Sequence, residues 1–342
     1  MVARLAILRQ VLQLVRIFAD HDDLPAVPPA GLRAPQFWLR LCCFVGQAVS
    51  PAQGFVRWLP AILLILWGGA TLRPQQIPHR IVSTAPSITE MLYALGLGDR
   101  VVGVTTFCHY PPEAARKPKI GNYLRPDVEA IVALRPDLVI AETSMIRQAI
   151  SLPRLKLNLL EVDDSTIQGI YDSIRKIGGA AGVSQRATAL CGNIAGKLEA
   201  IQQRTSRSPR RRVLFIVGRT PGRIEDLIAA GRTSYLNELM RIAGGENVFQ
   251  DAAIGYAKIG LEEILARNPD VIIDMGEMAQ TVGITDRQKQ AVAALWRRYP
   301  TLKAVQNNQV FAVASDVFVV PGPRVTEAAA ELARMLHPEA AR

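Results

Sequence analysis

The run DVEAIVALRPDLVIAE, Asp127 to Glu142, returns as GLEEILARNPDVIIDM, Gly260 to Met275. Six of the sixteen positions are identical and four more exchange one aliphatic residue for another. Ahead of each copy stands a tyrosine: Tyr123 lies six residues before Glu129, and Tyr256 six before Glu262. A second echo runs in the same order, with Glu90 six residues before Gly96 and Glu238 six before Gly244. Two copies more than a hundred residues apart are too few for a solenoid. They describe two similar lobes, and a cleft between lobes is a common ligand site.

The 342 residues suffice for two ordinary domains with their cores. Net charge is +10, of which +4 falls in residues 1–75, and the remaining +6 is spread over both lobes without a basic run of five or more. That distribution argues against a nucleic-acid partner. Of four cysteines, Cys42 and Cys43 lie in the leading segment. The spacing of Cys108 and Cys191 fits neither a CxxC redox pair nor a zinc site, and leaves a disulfide between them open.

Residues 1–76 read as an N-terminal extension. Within it Arg57 precedes an apolar run from Trp58 to Trp67, followed by Gly68, Gly69 and Ala70. A positive residue, a short apolar stretch and then small residues make a secretory signal over 57–70. The apolar stretch falls short of the ~20 residues that span a bilayer. Its late position implies that translation starts near Val56, the other reading being a signal anchor. Either way the globular part is exported.

From Pro78 onward strand and helix patterns alternate. Strands are expected at His79–Ser83, Val101–Val104, Asp137–Ala141 and Leu157–Val162, with a helix over Ser87–Gly96 closed by glycine. This N-terminal lobe covers 77–164. A connecting helical stretch covers 165–207, with breaks at Gly178-Gly179 and at Gly182. The C-terminal lobe, 208–342, opens with VLFIVG, continues through DVIIDM and VFAVA, and ends in a helix over Val325–Leu336. The alternation implies an α/β fold: two similar lobes with mostly parallel sheets, joined by a long helix, with the ligand cleft between them. A helical joint is stiff and implies modest closure.

Several segments resemble the periplasmic substrate-binding proteins of ABC importers for vitamin B12, ferric siderophores or haem. They are RIVSTAPSITEMLYALGLGDRVVGVT, the HYPPEA segment at His109–Ala114, VEAIVALRPDLVIA, LMRIAGGENVF, LEEILARNPDVII and SDVFVVPGPR. The resemblance spans Pro78 to Leu336 and is closest to the vitamin B12 branch. It implies a periplasmic, monomeric, non-enzymatic protein that carries a small-molecule chelate to a permease dimer and has no cofactor of its own. Cobalamin is the first ligand it implies, haem or a ferric siderophore the second. By position Tyr110, Tyr123, Tyr256 and Phe318 would stack on the ligand, since flat macrocycles pack well on aromatic faces. Glu129 and Glu262 would dock on permease arginines. Both also begin predicted helices, where a carboxylate meets the positive end of the dipole.

The chain departs from the vitamin B12 pattern where Tyr123 and Tyr256 replace tryptophans and where Glu142 stands near an aromatic position. Arg219 and Arg324 are candidates to line the cleft and favour an anionic ligand. A tyrosine near 123 is also an iron ligand in some haem binders. Enzyme signatures are missing: no GxGxxG follows a strand, GRTPGRIED lacks the Lys-Ser/Thr of a phosphate loop, and there is no GxSxG elbow. His79, His109 and His337 lie too far apart in sequence to suggest a metal-ion receptor. A two-lobed sensor not coupled to transport remains the reading from another class.

Overall fold

The computed structural model describes residues 77–122, 125–143, 157–276, 285–313 and 316–339. The signal expected at 57–70 and its extension lie outside the described residues. The first lobe holds strands β1 (Ile81–Ser83), β2 (Val101–Gly103), β3 (Leu138–Glu142) and β4 (Leu159–Val162), in the order β2-β1-β3-β4 and all parallel. Helix α1 (Pro86–Ala94) follows β1, with proline at its start, where the missing N–H costs nothing. Two short helices, α2 (Pro112–Ala115) and α3 (Val128–Ala133), come before β3.

The second lobe is built on β5 (Arg211–Gly218), whose last six residues are buried, as expected for a strand covered on both faces. Around it lie β6 (Leu227–Ala230), β7 (Gly245–Asn247), β8 (Tyr256–Ile259), β9 (Val271–Asp274) and β10 (Val310–Ala312). The order is β10-β9-β5-β6-β8, with β7 also on β5. The β5–β6 and β6–β8 pairs are antiparallel and the rest parallel. Helices α6 (Tyr235–Ile242), α7 (Leu261–Arg267), α8 (Asp286–Trp296), α9 (Lys303–Gln306) and α10 (Val325–Leu336) complete it.

The sequence repeat is a structural one. In the first lobe α3 ends at Arg135 (φ 45°), Pro136 follows, and Asp137 accepts the backbone N–H groups of His79 (2.7 Å) and Arg80 (2.9 Å) at the start of β1. In the second, α7 ends at Asn268 (φ 43°), Pro269 follows, and Asp270 accepts the N–H of Arg212 (3.0 Å) in β5. Even the arginines correspond. Arg80 donates to the carbonyls of Leu134 and Arg135, and Arg212 to that of Asn268, satisfying acceptors at a helix end.

Between the lobes run two helices, α4 (Ile167–Ala180) and α5 (Ser184–Thr205), packed against each other. Thr166 caps α4, its hydroxyl accepting from Gly169 N at 2.9 Å. The expected break at Gly178-Gly179 does not occur, because both glycines continue α4, and the chain turns only at Gly182 (φ 73°). The turn needs a left-handed residue, which glycine supplies without a Cβ clash. Gly178 serves contact instead, since a Cβ there would lie 2.4 Å from Ala187 Cβ on α5.

Side chains alternate along the strands, as the pleat requires. Ile81 on β1, Phe215 on β5 and Ile273 on β9 face one large core that also takes Ile170, Ile174 and Ile177 of α4, Leu198 of α5, and faces of α6 and α10. Val82 and Val139 face a small outer core, and Leu214, Ile216 and Ile272 face another around Trp296. The lobes are thus bonded through one shared hydrophobic layer, and residues 76–342 form one unit. Cys108 and Cys191 are buried free thiols, Cys108 beside the hydroxyls of Thr89 and Thr105. Among the described residues no helix is long and apolar enough to cross a membrane.

The helix contact makes a prediction of opposite signs. Gly178→Ala should destabilise the protein by about 1–3 kcal/mol through overpacking. Gly192→Ala, on α5 where a Cβ meets nothing within 4 Å, should stabilise it by about 0.5–1 kcal/mol. Urea unfolding of both variants checks the pair.

Candidate functional site

In parallel α/β sheets ligands bind beyond the carboxyl ends of the strands. In the first lobe that edge carries acids. Glu142 ends β3 and accepts a hydrogen bond from Ser87 Oγ on α1 at 3.0 Å. Asp164 lies just past β4 and is 5% exposed. Burial, then the charge of Glu142, pushes its carboxyl well above the usual carboxylate range. Its Oδ2 has no hydrogen-bond partner among the described residues.

Tyr256, the first residue of β8, belongs to the second lobe and is 48% exposed. Its phenol is raised by the enclosure of its hydroxyl end. A hydrogen bond with Ser234 acts against that, and the charges of Asp164 and Glu142 add to it. The ring therefore stands within electrostatic reach of the acids of the first lobe. Tyr235, near it, is buried and ties the second lobe to the head of the connecting helices. Its backbone N–H donates to Ser165 O at 2.9 Å, and its hydroxyl to Phe318 O at 2.6 Å. From the same helix Glu238 accepts the N–H of Ile167 at 3.1 Å, at the head of α4.

The strongest polar link between lobes is Arg324, at the N-terminus of α10. Its Nε donates to Glu90 Oε2 on α1 at 3.0 Å, and Nη2 donates to Glu90 Oε1. Asp316 accepts from Nη1 at 3.1 Å and from Nη2 at 2.8 Å. The guanidinium also lies 4.0 Å from the ring centre of Tyr110, which is 44% exposed. Burial pushes Glu90 up to about 7, against the pull of Arg324. Burial works to lower the Arg324 pKa, but its hydrogen bonds to Glu90 and Asp316 outweigh this and hold the cation firmly protonated.

Arg219 is spent in the same way. Its Nε donates to both oxygens of Asp274 at 3.2 and 3.1 Å, and the two side chains are 3% and 0% exposed. Asp274 also accepts from Trp296 Nε1 at 2.7 Å and Gly276 N at 2.6 Å. A charge this buried needs its counterion, so Arg219 is a packing element of the second lobe rather than a cation lining the cleft. Arg324 does reach the boundary between lobes, but two carboxylates already hold it.

Phe318 also differs from expectation. Its ring is 0% exposed and packs edge-on against Phe215 at 5.7 Å, beneath the cleft rather than on its surface. Tyr123 lies outside the described residues. Glu129 and Glu262 are exposed and stand at the second position of α3 and α7. Other groups do the capping. Asp127 accepts from Ala130 N at 3.0 Å, and Glu263 accepts from Gly260 N at 3.1 Å.

Three further residues join the site. Phe107, 54% exposed, is three residues from Tyr110, and Ile254, 55% exposed, is two from Tyr256. Each lobe so presents an aliphatic or aromatic companion to its tyrosine. Both sit in loops without hydrophobic period, which was the available signal. Asp164 is the third, and its signal was an acid directly after a strand of a parallel sheet.

Two predictions follow from these pairs. The Glu90 carboxyl takes its proton near 7 in the folded protein, against 4.5 as the reference value. The folded state then binds the extra proton between these values, so the contribution of Glu90 to stability falls as pH rises through that window. Relative to Glu90→Gln, the natural protein should lose about 2–3 kcal/mol between pH 4.5 and 7.5; equal slopes in thermal unfolding would contradict it. Asp274→Ala should cost about 3–5 kcal/mol in urea unfolding by stranding the buried Arg219.

A family model described as periplasmic binding protein matches residues 81–317. An ABC transporter substrate-binding lipoprotein of Bacillus subtilis, YvrC, is 33% identical over 270 residues, 77% of this chain and 81% of that one. The crystal structure of the periplasmic vitamin B12 binding protein BtuF of Vibrio cholerae superposes with a TM-score of 0.64 at 26% identity, covering 76% of this chain and 97% of BtuF. The periplasmic heme-binding protein RhuT of Roseiflexus sp. RS-1 superposes with a TM-score of 0.61 at 26% identity, covering 77% and 99%. The chain belongs to the periplasmic binding protein family, whose substrate-binding proteins take a small molecule and work with the permease of an ABC importer.

Proposed function

We propose that this protein binds cobalamin or a related corrinoid between its lobes and delivers it to the permease. The observation that carries this reading is the charge balance of the cleft. Arg219 and Arg324 are both held by carboxylates, while Glu142 and Asp164 sit at the strand ends of the first lobe. A corrin ring is fringed by carboxamides, whose N–H groups donate to carboxylates. Haem carries two propionates and ferric siderophores are commonly anionic, and arginines already held by carboxylates do little to attract either.

The apolar part of the ligand would meet Tyr110 with Phe107 on one lobe and Tyr256 with Ile254 on the other. Tyr123, which precedes Glu129 in the sequence as Tyr256 precedes Glu262, would join them on the ligand. Phe318 contributes indirectly, through the carbonyl that fixes Tyr235. Glu129 and Glu262 would meet basic groups of the permease, one per lobe. A haem carrier is the second reading, favoured by the similar match to RhuT and by a tyrosine phenolate's capacity to ligate iron. A carrier role requires no chemistry of the protein beyond binding and docking.

Calorimetric titration of the purified protein with cyanocobalamin, haem and a ferric siderophore tests the reading. Sub-micromolar binding of cyanocobalamin is expected, weakened at least tenfold, about 1.4 kcal/mol, by Tyr110→Ala and by Tyr256→Ala. Heat from haem or the siderophore alone would replace the ligand. No binding by any of the three would move the sensor reading forward.

A further inference from the structure

The repeat carries more than a carboxylate. Counting from Glu129, the residues Ile131, Val132 and Ala133 correspond to Ile264, Leu265 and Ala266 after Glu262. The isoleucines are both 0% exposed and anchor α3 and α7 to their lobes. The next residue does the reverse in both copies: Val132 is 47% and Leu265 38% exposed, and Ala133 and Ala266 are exposed as well. Among the described residues the other large apolar side chains exposed to this degree are Ile77, Phe107, Tyr110, Ile254 and Tyr256, none of them in α3 or α7.

A lone exposed aliphatic residue means nothing. Here the exposure recurs at the same position of both copies, three residues beyond the carboxylate. That spacing puts the two side chains on one face of the helix, with Cβ atoms about 5–6 Å apart. Each lobe therefore shows an acid with an aliphatic neighbour, on a helix whose opposite side is fixed in the core. Glu129 and Glu262 need not cap their helices, since Asp127 and Glu263 do so, and among the described residues neither enters an ion pair.

We infer that Val132 with Ala133, and Leu265 with Ala266, are apolar contacts for the permease, one beside each docking carboxylate. The inference rests on the proposed docking of Glu129 and Glu262. The partner it fits is a permease dimer that presents, twice, a basic residue next to an apolar depression. The division of work follows from the chemistry. Exposed charges steer the encounter and are screened by salt, whereas buried aliphatic contact slows dissociation.

The test measures binding of the full chain to the permease of its host, reconstituted in nanodiscs, with no ligand present. The variants are Val132→Ser with Leu265→Ser, and Glu129→Gln with Glu262→Gln. The serine pair is expected to bind at least tenfold more weakly, mostly through faster dissociation, with unchanged Tm and unchanged response to salt. The glutamine pair should lose association rate and its salt dependence. Val132→Ile with Leu265→Met should bind like the natural protein, separating apolar contact from a structural effect. A second polar pair, Val132→Thr with Leu265→Gln, decides the matter should the serine pair lower Tm. Natural affinity in the polar pairs, with weakened binding in the glutamine pair, would overturn the inference and leave carboxylate docking standing. Natural affinity in all variants, or no binding by the natural protein, would overturn both.

Discussion

Both lobes depend on one corner, the carboxylate of a Pro-Asp pair that accepts the first N–H groups of the neighbouring parallel strand. Asp137 does this for β1 and Asp270 for β5. A helix that must feed a parallel strand has to stop abruptly, and each stops in a left-handed residue followed by proline, which cannot continue it. Asn268 suits that conformation and Arg135 does not, at a cost of about 1–2 kcal/mol. Hydrogen bonds of the neighbouring Arg80 to the carbonyls of Leu134 and Arg135 help offset it. With their last residues held at the starts of β1 and β5, α3 and α7 have their first turns toward the edge where the strands end. Glu129 and Glu262, in those first turns, occupy corresponding places in the two copies of the repeat.

Charge arrangement at the cleft follows from burial. Arg219 and Arg324 are too enclosed to stand alone, so each is met by carboxylates, while Asp164, buried beside Glu142, is drawn toward its protonated form. Removing acids from water raises their pKa values, which is tolerable only where a proton or a donor can be shared. A ligand bringing carboxamides can donate to a carboxylate and accept from a protonated carboxyl, and so suits either state of the pair. Selectivity in this reading comes from what the site refuses as much as from what it stacks against.

Sequence reading recovered what is periodic or local. The aliphatic runs at Leu138–Glu142 and Val271–Asp274, the proline start of α1 and the last helix all announce themselves within a few residues. Tyr256, six residues before Glu262, is an exposed residue at the head of β8. What escaped was pairing over distance. Nothing local to Arg324 names Glu90 as its partner 234 residues earlier, and nothing local to Arg219 names Asp274. Phe318 looks like a loop aromatic, and only the approach of Phe215 shows it to be core. Gly178-Gly179 reads as a helix break by propensity, but close contact with α5 rewards a missing Cβ there.

The shared core between the lobes bears on how such a protein can be read by its partner. A two-point dock tolerates little change in the distance between its points, because each contact must form without breaking the other. Extended hinge strands would let that distance wander. Here α4 and α5 bury Ile170, Ile174, Ile177 and Leu198 in the same layer as β1 and β5, so a wide swing would open a core rather than bend a linker. Adjustment is then confined to side chains at the boundary: the Arg324 cluster over Tyr110, and the backbone bonds of Tyr235 and Ile167. A ligand that settles between Tyr110 and Tyr256 would act on those contacts while leaving α3 and α7 at fixed spacing, which is what a permease with two matching sites requires.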